Sequence, residues 1–175
     1  MEIKNHNGIF IGGASGMARA TAQSFSEKGG KVAILDLPTS DGAAVAEELG
    51  GTFHECNVLD HEGVGAVIDA AIEALGGSVH FLVNTAGGGV AARTLGKEGP
   101  HSLKDFQGVI DLNLISSFNI SRLVAAKMAD NEPNEDGERG VLLNTASIAA
   151  FEGQIGQVAY AAAKAGSVCM TFVMA

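Results

Sequence analysis

Apolar positions along the chain fall into short continuous runs separated by stretches with helical spacing. "GIFIGG" (8–13), an apolar run broken by glycine, predicts a buried strand. A helical stretch follows and stops at the pair Gly29–Gly30, which reads as a C-terminal cap. "KVAILDL" (31–37) predicts a second strand, ended by Pro38. Ser40 and Asp41 read as the cap of a short helix reaching Leu49, and "TFHECNV" (52–58) as a third, weaker strand. Val64, Val67, Ile68, Ala71, Ile72 and Leu75 recur at i, i+3, i+4, i+7, i+8 and i+11, the spacing of an amphipathic helix. "VHFLVNTAG" (79–87) predicts a fourth strand, followed by a glycine-rich loop to about Ser102 and a long helix over roughly 103–129. An acidic loop, a fifth strand "GVLLNTAS" (140–147) and a last helix from about Gln157 to the end complete the pattern.

Continuous apolar strands alternating with helices imply βαβ units and a parallel sheet covered on both faces. The expected architecture is therefore α/β, a doubly wound parallel sheet of about five strands in one domain over residues 1–175, without internal repeats or linkers. In such a sheet ligands bind at the carboxyl ends of the strands. That directs attention to Gly12–Gly16, Asp36, Asn84–Gly87 and Ser147.

Composition narrows the partners. The net charge of −9 repels nucleic acid and anionic membranes, and no basic patch reverses it, so neither is expected as a partner. "DNEPNEDGER" (130–139) holds five of the twenty acidic residues and reads as a solvated loop. Cys56 and Cys169 form no CxxC pair and are expected as buried free thiols in a reducing compartment. "MEIKNHNG" has neither the apolar core of a signal peptide nor an Arg-rich amphipathic pattern, and no run of 18 apolar residues occurs. The expectation is a cytoplasmic protein with no membrane span. The five histidines show no metal-ligand spacing such as HExxH, so no metal is expected.

"GGASGMA" (12–18) lies between the first strand and the first helix. Glycines let a backbone turn tightly and approach a phosphate, which the free N–H groups of a helix N-terminus receive. A tight strand–helix turn is the plain alternative. Against it stands Asp36, at the end of the second strand and twenty residues past Gly16. A carboxylate there can take both hydroxyls of an adenosine ribose and repels a 2′-phosphate, favouring NAD over NADP. No arginine follows the motif or Asp36 closely enough to reverse this preference. The fold is thus read as Rossmann-like and dinucleotide-binding. "NTAG" (84–87) can stitch strand ends while leaving room for a cofactor, although, taken singly, a simple strand-end turn explains it better.

Tyr160 and Lys164 are spaced i, i+4 and share a helix face. A tyrosine is a poor acid–base group at neutral pH unless a nearby cation stabilises its phenolate. Ser147, thirteen residues upstream, could hold a carbonyl oxygen beside the phenol. Asn113 lies on the stripe of the long helix that carries Phe106, Val109, Ile110, Ser117 and Val124, where a polar group needs partners. An amphipathic surface pair and a satisfied structural asparagine are the plain alternatives.

Gly12, Gly16, "NTAG", Asn113, Ser147 and "YAAAK" together resemble the signature set of the short-chain dehydrogenase/reductase family, in its order and spacing over the entire chain. Stretches such as "LDLPTSDG" and "NTASIAAFEGQIGQVAYAAAKAG" are similar to a branch acting on 3-hydroxyacyl-CoA. The resemblance implies NAD-dependent interconversion of a secondary alcohol and a ketone, with an acyl-CoA or another hydroxy or keto compound as substrate. It implies that Tyr160 exchanges the proton, that Lys164 binds the nicotinamide ribose and favours the phenolate, that Ser147 positions the oxygen, and that Asn113 holds a water in a proton relay. Gly12, Ser15, Gly16, Met17, Asp36, Asn57, Val58, Asn84, Ala86 and Gly87, with Tyr160 and Lys164, would line the cofactor. A homodimer or homotetramer through the long and last helices is also implied, and the apolar tail "SVCMTFVMA" gives it a reason.

Ile11 stands where the family usually has Thr, Ala18 replaces the third glycine, and Asn57 stands where Asp is common. Family members also continue with further strands and a substrate-covering segment, so a C-terminally incomplete domain is expected. Two readings stay open: a dehydrogenase, and a non-catalytic NAD-binding or dimerising paralogue.

Overall fold

The structure, a computed structural model, describes residues 1–175. Five strands form one parallel sheet: β1 (Asn7–Ile11), β2 (Lys31–Asp36), β3 (Thr52–Glu55), β4 (Phe81–Asn84) and β7 (Val141–Asn144), in the order β3-β2-β1-β4-β7. The register places Ile11 beside Leu35 and Asn84, and Asn84 beside Asn144. Helices α1 (Gly16–Glu27), α2 (Gly42–Glu48) and α3 (Val64–Leu75) connect the first four strands, giving the expected doubly wound α/β arrangement. β5 (Leu95–Gly96) and β6 (Gly99–Pro100) form a small antiparallel hairpin that the glycine-rich loop had concealed.

Side-chain alternation along the strands divides the core. Phe10, Val32, Ile34 and Val83 pack with Ala22 and Phe25 of α1 and Val45 and Ala46 of α2. Ile9, Ile11, Ala33, Leu35 and Leu82, of opposite parity, are also buried, as are Val64, Ile68, Ala71 and Leu75 on one face of α3. Helix α1 ends as expected: Gly29 adopts φ +81°, and the Gly30 N–H returns to the Phe25 carbonyl at 3.1 Å.

The long helical stretch is not uniform. It comprises α4 (Leu103–Ile110), a π-helical turn (Asp111–Ile115) and α5 (Ser116–Met128). By length and composition alone it could cross a membrane, with a mean hydropathy of 1.2. Its polar residues Asn113, Ser116, Ser117, Asn119 and Ser121 are buried, however, and so is 44% of its apolar window, as befits the core helix of a folded protein. After β7 come a 3₁₀ turn (Ile148–Ala150) and α6 (Val158–Met174).

Residue contacts divide the chain into two compact units. The first, residues 1–85 and 120–144, contains the parallel sheet; the second, 86–119 and 145–175, contains the hairpin, α4, the π turn and α6. The cysteines are both free, but only Cys56 is buried. Cys169 is exposed on α6, which corrects the expectation for that thiol: the helix presents this position outward.

Candidate active site

The nucleotide-type features lie in the first unit. Between β1 and α1 the backbone takes left-handed angles at Gly12 (φ +72°) and Gly16 (φ +55°). A Cβ on Gly13 would lie 2.7 Å from the Phe10 carbonyl oxygen, so only glycine fits there, while one on Gly16 would meet nothing within 4 Å. The turn therefore leaves open space beside the start of α1, whose N-cap Ser15 makes no side-chain capping bond. Met17 is exposed, and Ala18, in place of a third glycine, is fully buried.

Asp36 is fixed by two backbone donors. Ala14 N–H reaches Oδ2 at 2.9 Å, and Leu37 N–H reaches Oδ1 at 2.8 Å. Each oxygen keeps a lone pair for a further donor. The turn and this oriented carboxylate fit a dinucleotide's phosphates and adenosine ribose. Arg19 lies three residues beyond Gly16. Its guanidinium pairs with Glu48 at 2.8 Å.

Asn57 is exposed after β3, and its side-chain oxygen accepts the Leu59 N–H at 3.1 Å, closing its own turn; Val58 is buried. Asn84 is buried at the end of β4 and donates to Asn144 Oδ1 at 3.1 Å, and Ser121 and Asn144 bond in turn. This is the strand stitching expected of Asn84.

The reactive features lie in the second unit, which begins with the Ala86–Gly89 loop. Lys164 is only 3% exposed. Its Nζ donates to the Thr145 carbonyl at 2.7 Å and sits 5.6 Å from the centroid of the Tyr160 ring. Burial pushes the Lys164 ammonium below its ordinary 10.5. Ser147 caps the 3₁₀ turn, its Oγ accepting the Ala149 N–H at 3.2 Å, which leaves its hydroxyl proton to donate elsewhere.

Asn113 is fully buried in the π turn. Its Nδ2 donates to the carbonyls of Gly88 (2.6 Å) and Val109 (2.9 Å), and its Oδ1 accepts the Gly88 N–H at 3.2 Å. Both amide hydrogens are spent, so the side chain clamps the Gly88 peptide as a neighbouring strand would. A Cβ on Gly87 would lie 2.7 Å from that Oδ1 and 3.6 Å from Lys164 Nζ, which explains a glycine there. A water held by Asn113 would have to use an oxygen, not the amide hydrogens.

Tyr160 opens onto a cleft of about 360 Å³, lined otherwise by Gly88, Gly89, Val90, Ala91 and Gln157. Gln157, at the start of α6, is a cleft residue with no place among the expected site residues. The signal was available, because Gln157 precedes Tyr160 by three residues and so shares its helix face.

Residues 8–175 match the short chain dehydrogenase family. The chain is 46% identical to 3-hydroxyacyl-CoA dehydrogenase type-2 of Drosophila melanogaster, over 99% of this chain and 69% of that protein. It is 45% identical to the protein of the same description from Homo sapiens, over 99% and 67% of the respective lengths. It is 32% identical to 7alpha-hydroxysteroid dehydrogenase of Escherichia coli K12, over 91% and 60%. The crystal structure of 3-hydroxyacyl-CoA dehydrogenase type-2 from Mycobacterium avium matches with a TM-score of 0.90 at 43% identity, covering 99% of this chain and 69% of that one.

Proposed function

The chain belongs to the short-chain dehydrogenase family, and on that premise we propose that this oxidoreductase interconverts a secondary alcohol and a ketone with NAD(H), using Tyr160 as acid and base. The substrate class is a 3-hydroxyacyl-CoA with its 3-ketoacyl partner, or a similar hydroxy compound, in keeping with the relatives' activity. One observation carries the reading: the only phenol of the chain faces a cleft one helical turn from a buried, backbone-anchored ammonium.

A nicotinamide, when bound, would supply or accept the hydride, that is, the electron pair of the reaction. On reduction, Tyr160 gives its phenolic proton to the carbonyl oxygen as the C–H bond forms; on oxidation the phenolate takes it back. Lys164, its Nζ 5.6 Å from the centroid of the Tyr160 ring, can bond a ribose hydroxyl. Ser147 donates its free O–H to the same substrate oxygen. Asn113 holds the Gly88 peptide and thereby the wall of the cleft. Gly12, Ser15, Gly16 and Met17 take the phosphates. Asp36 takes the adenosine ribose hydroxyls, and its charge disfavours a 2′-phosphate.

The second reading is an NAD-binding chain that dimerises without turnover. It is favoured by Phe172 and Val173, which are 79% and 86% exposed at the end of α6. NADH titration by fluorescence, followed by addition of acetoacetyl-CoA, separates the two. We expect binding, and NADH oxidation that Tyr160→Phe lowers about 10²- to 10⁴-fold while the NADH affinity holds. Binding without oxidation would establish the second reading instead.

A further inference from the structure

At the amino ends of β1 and β4 lies an imidazole pair that the proposed function leaves unused. His6 precedes β1 and His80 precedes β4, and their rings meet edge to face with centroids 4.6 Å apart. Both are half-buried, so protons from solvent reach them. His80 is built into the sheet. Its N–H donates to Asn7 O at 2.9 Å, and its carbonyl accepts the Val141 N–H at 2.8 Å. Its ring Nδ1 accepts the Asn7 N–H at 3.3 Å. Asn7 is buried, and its side-chain amide is spent on Leu75 O at 3.2 Å and Ser78 O at 2.9 Å. An N–H aimed at Nδ1 requires that nitrogen to carry no hydrogen. His80 is therefore neutral here, with its proton on Nε2.

His6 is held differently. Its Nδ1 lies 3.1 Å from Lys4 O, and because a carbonyl only accepts, that nitrogen carries hydrogen in either charge state. No carboxylate pairs with either ring to hold a positive charge in place. In the last turn of α3, Glu73 is exposed. At the start of β2, Lys31 reaches toward Gly76, its Nζ 4.0 Å from where a Cβ there would lie. Before β7, Arg139 bonds Asn131 O, and Glu138 pairs with the Met1 amine at 2.9 Å. The charged group that acts on His80 is thus His6. Burial, with a smaller effect from that neighbour, holds the His80 pKa below its ordinary 6.5.

We propose that the His6–His80 pair is an acid-released latch on the first strand. A solvent proton taken up at His80 Nδ1 sets one N–H against another. The bond from Asn7 breaks, the ring turns away, and a buried backbone donor is left without an acceptor. A proton on His6 Nε2 leaves the bond to Lys4 O intact but places a like charge against the His80 ring. His6 therefore sets the pH of release, moving it lower. The strand so loosened runs from Asn7 to Ile11 and straight into the Gly12 turn. Above 6.5 His80 is neutral in both the native and the unfolded chain, and the latch contributes fully. As pH falls below 6.5, the unfolded chain takes up the proton first while native His80 resists it. The unfolded state then binds more protons, so stability is lost through that window as pH falls.

The test follows the Asn7 amide and the His80 ring by NMR in the full chain, titrated from about pH 7.5 to about pH 4.5. The two are expected to titrate with one midpoint, below 6.5. Across it the hydrogen-exchange protection of the Asn7 amide should fall about 10-fold or more relative to His80→Asn at the same pH. That comparison cancels the intrinsic pH dependence of exchange. The asparagine oxygen accepts a hydrogen bond and does not titrate, so the variant should show no such fall. His6→Leu removes the neighbouring charge and should move the midpoint to higher pH. An Asn7 amide that stays unmoved while His80 titrates overturns the latch, and so does an equal fall in His80→Asn. A His80 ring that takes no proton before the chain unfolds overturns it as well. An unshifted midpoint in His6→Leu overturns the part given to His6. Should His80→Asn fail to fold, the common midpoint in the wild type decides by itself.

Discussion

At the scale of single residues, Lys164 gives the clearest electrostatic prediction. Its folded-state pKa lies below 10.5 because burial penalises the ammonium. Below the folded pKa both states carry the proton, and the cost of the buried charge is fully present. As pH rises through the folded pKa, the native lysine releases its proton while the unfolded one keeps it up to about 10.5. The unfolded state then binds more protons, so stability gains with pH over that window. Urea midpoints of wild type and Lys164→Met measured across it should show wild type gaining on the variant as pH rises. A constant difference would mean that the ammonium is better solvated than its 3% exposure implies. The phenol–lysine pair was legible in the sequence because an i, i+4 spacing fixes a shared face. The Asn113 clamp was not, because its partner Gly88 lies 25 residues away and only the folded loop brings them together.

Among elements, packing at glycine is the sharpest constraint. A Cβ on Gly30 would lie 2.1 Å from Phe25 Cε1. Phe25 cannot swing aside, since its ring stacks edge-on against Phe10 and Phe81 with centroids 5.4 and 5.1 Å away. Gly30→Ala should therefore cost about 1–3 kcal/mol, read as a lower urea midpoint with an unchanged m-value. No loss would mean that the aromatic cluster yields. The elements themselves were read unevenly. Helix α3 was recovered at its observed ends because its apolar stripe is regular. Strands were read too long: 79–87 against Phe81–Asn84 and 140–147 against Val141–Asn144. Beyond a strand's carboxyl end the residues stay small or apolar, and at β4 one more bond, Thr85 N–H to Ile11 O at 3.1 Å, carries on before the chain turns into its loop. The π turn at Asp111–Ile115 escaped because one extra residue in a turn barely disturbs a 3.6-residue pattern. The β5–β6 hairpin is too short to leave a period at all.

For the whole molecule, charge and apolar exposure oppose each other. Phe151, Ile155, Phe172 and Val173 are each at least 75% exposed, and burying them against a second copy would be favourable. The net charge of −9 resists association of like chains. Light scattering at micromolar concentration should give a mass above the 17.8 kDa monomer, with the assembled fraction rising as salt screens the charge. A monomer at both low and high salt would rule the oligomer out.

The strand order carries a further consequence for synthesis. β1 is made first yet lies at the centre of the sheet, between β2 and β4. A chain leaving the ribosome completes β2 and β3 soon afterwards, on one side of β1 only. The other side, with Gly8 to Ile11 destined for β4, waits until Phe81 to Asn84 have been translated. At roughly 5–20 residues per second that interval is on the order of several seconds. Throughout it, the nascent half-sheet presents the strand destined for its centre as a bare edge, the template on which another chain could pair. The same centrality that makes β1 the best-buried strand of the finished protein makes it the one most in need of shelter while the protein is being made.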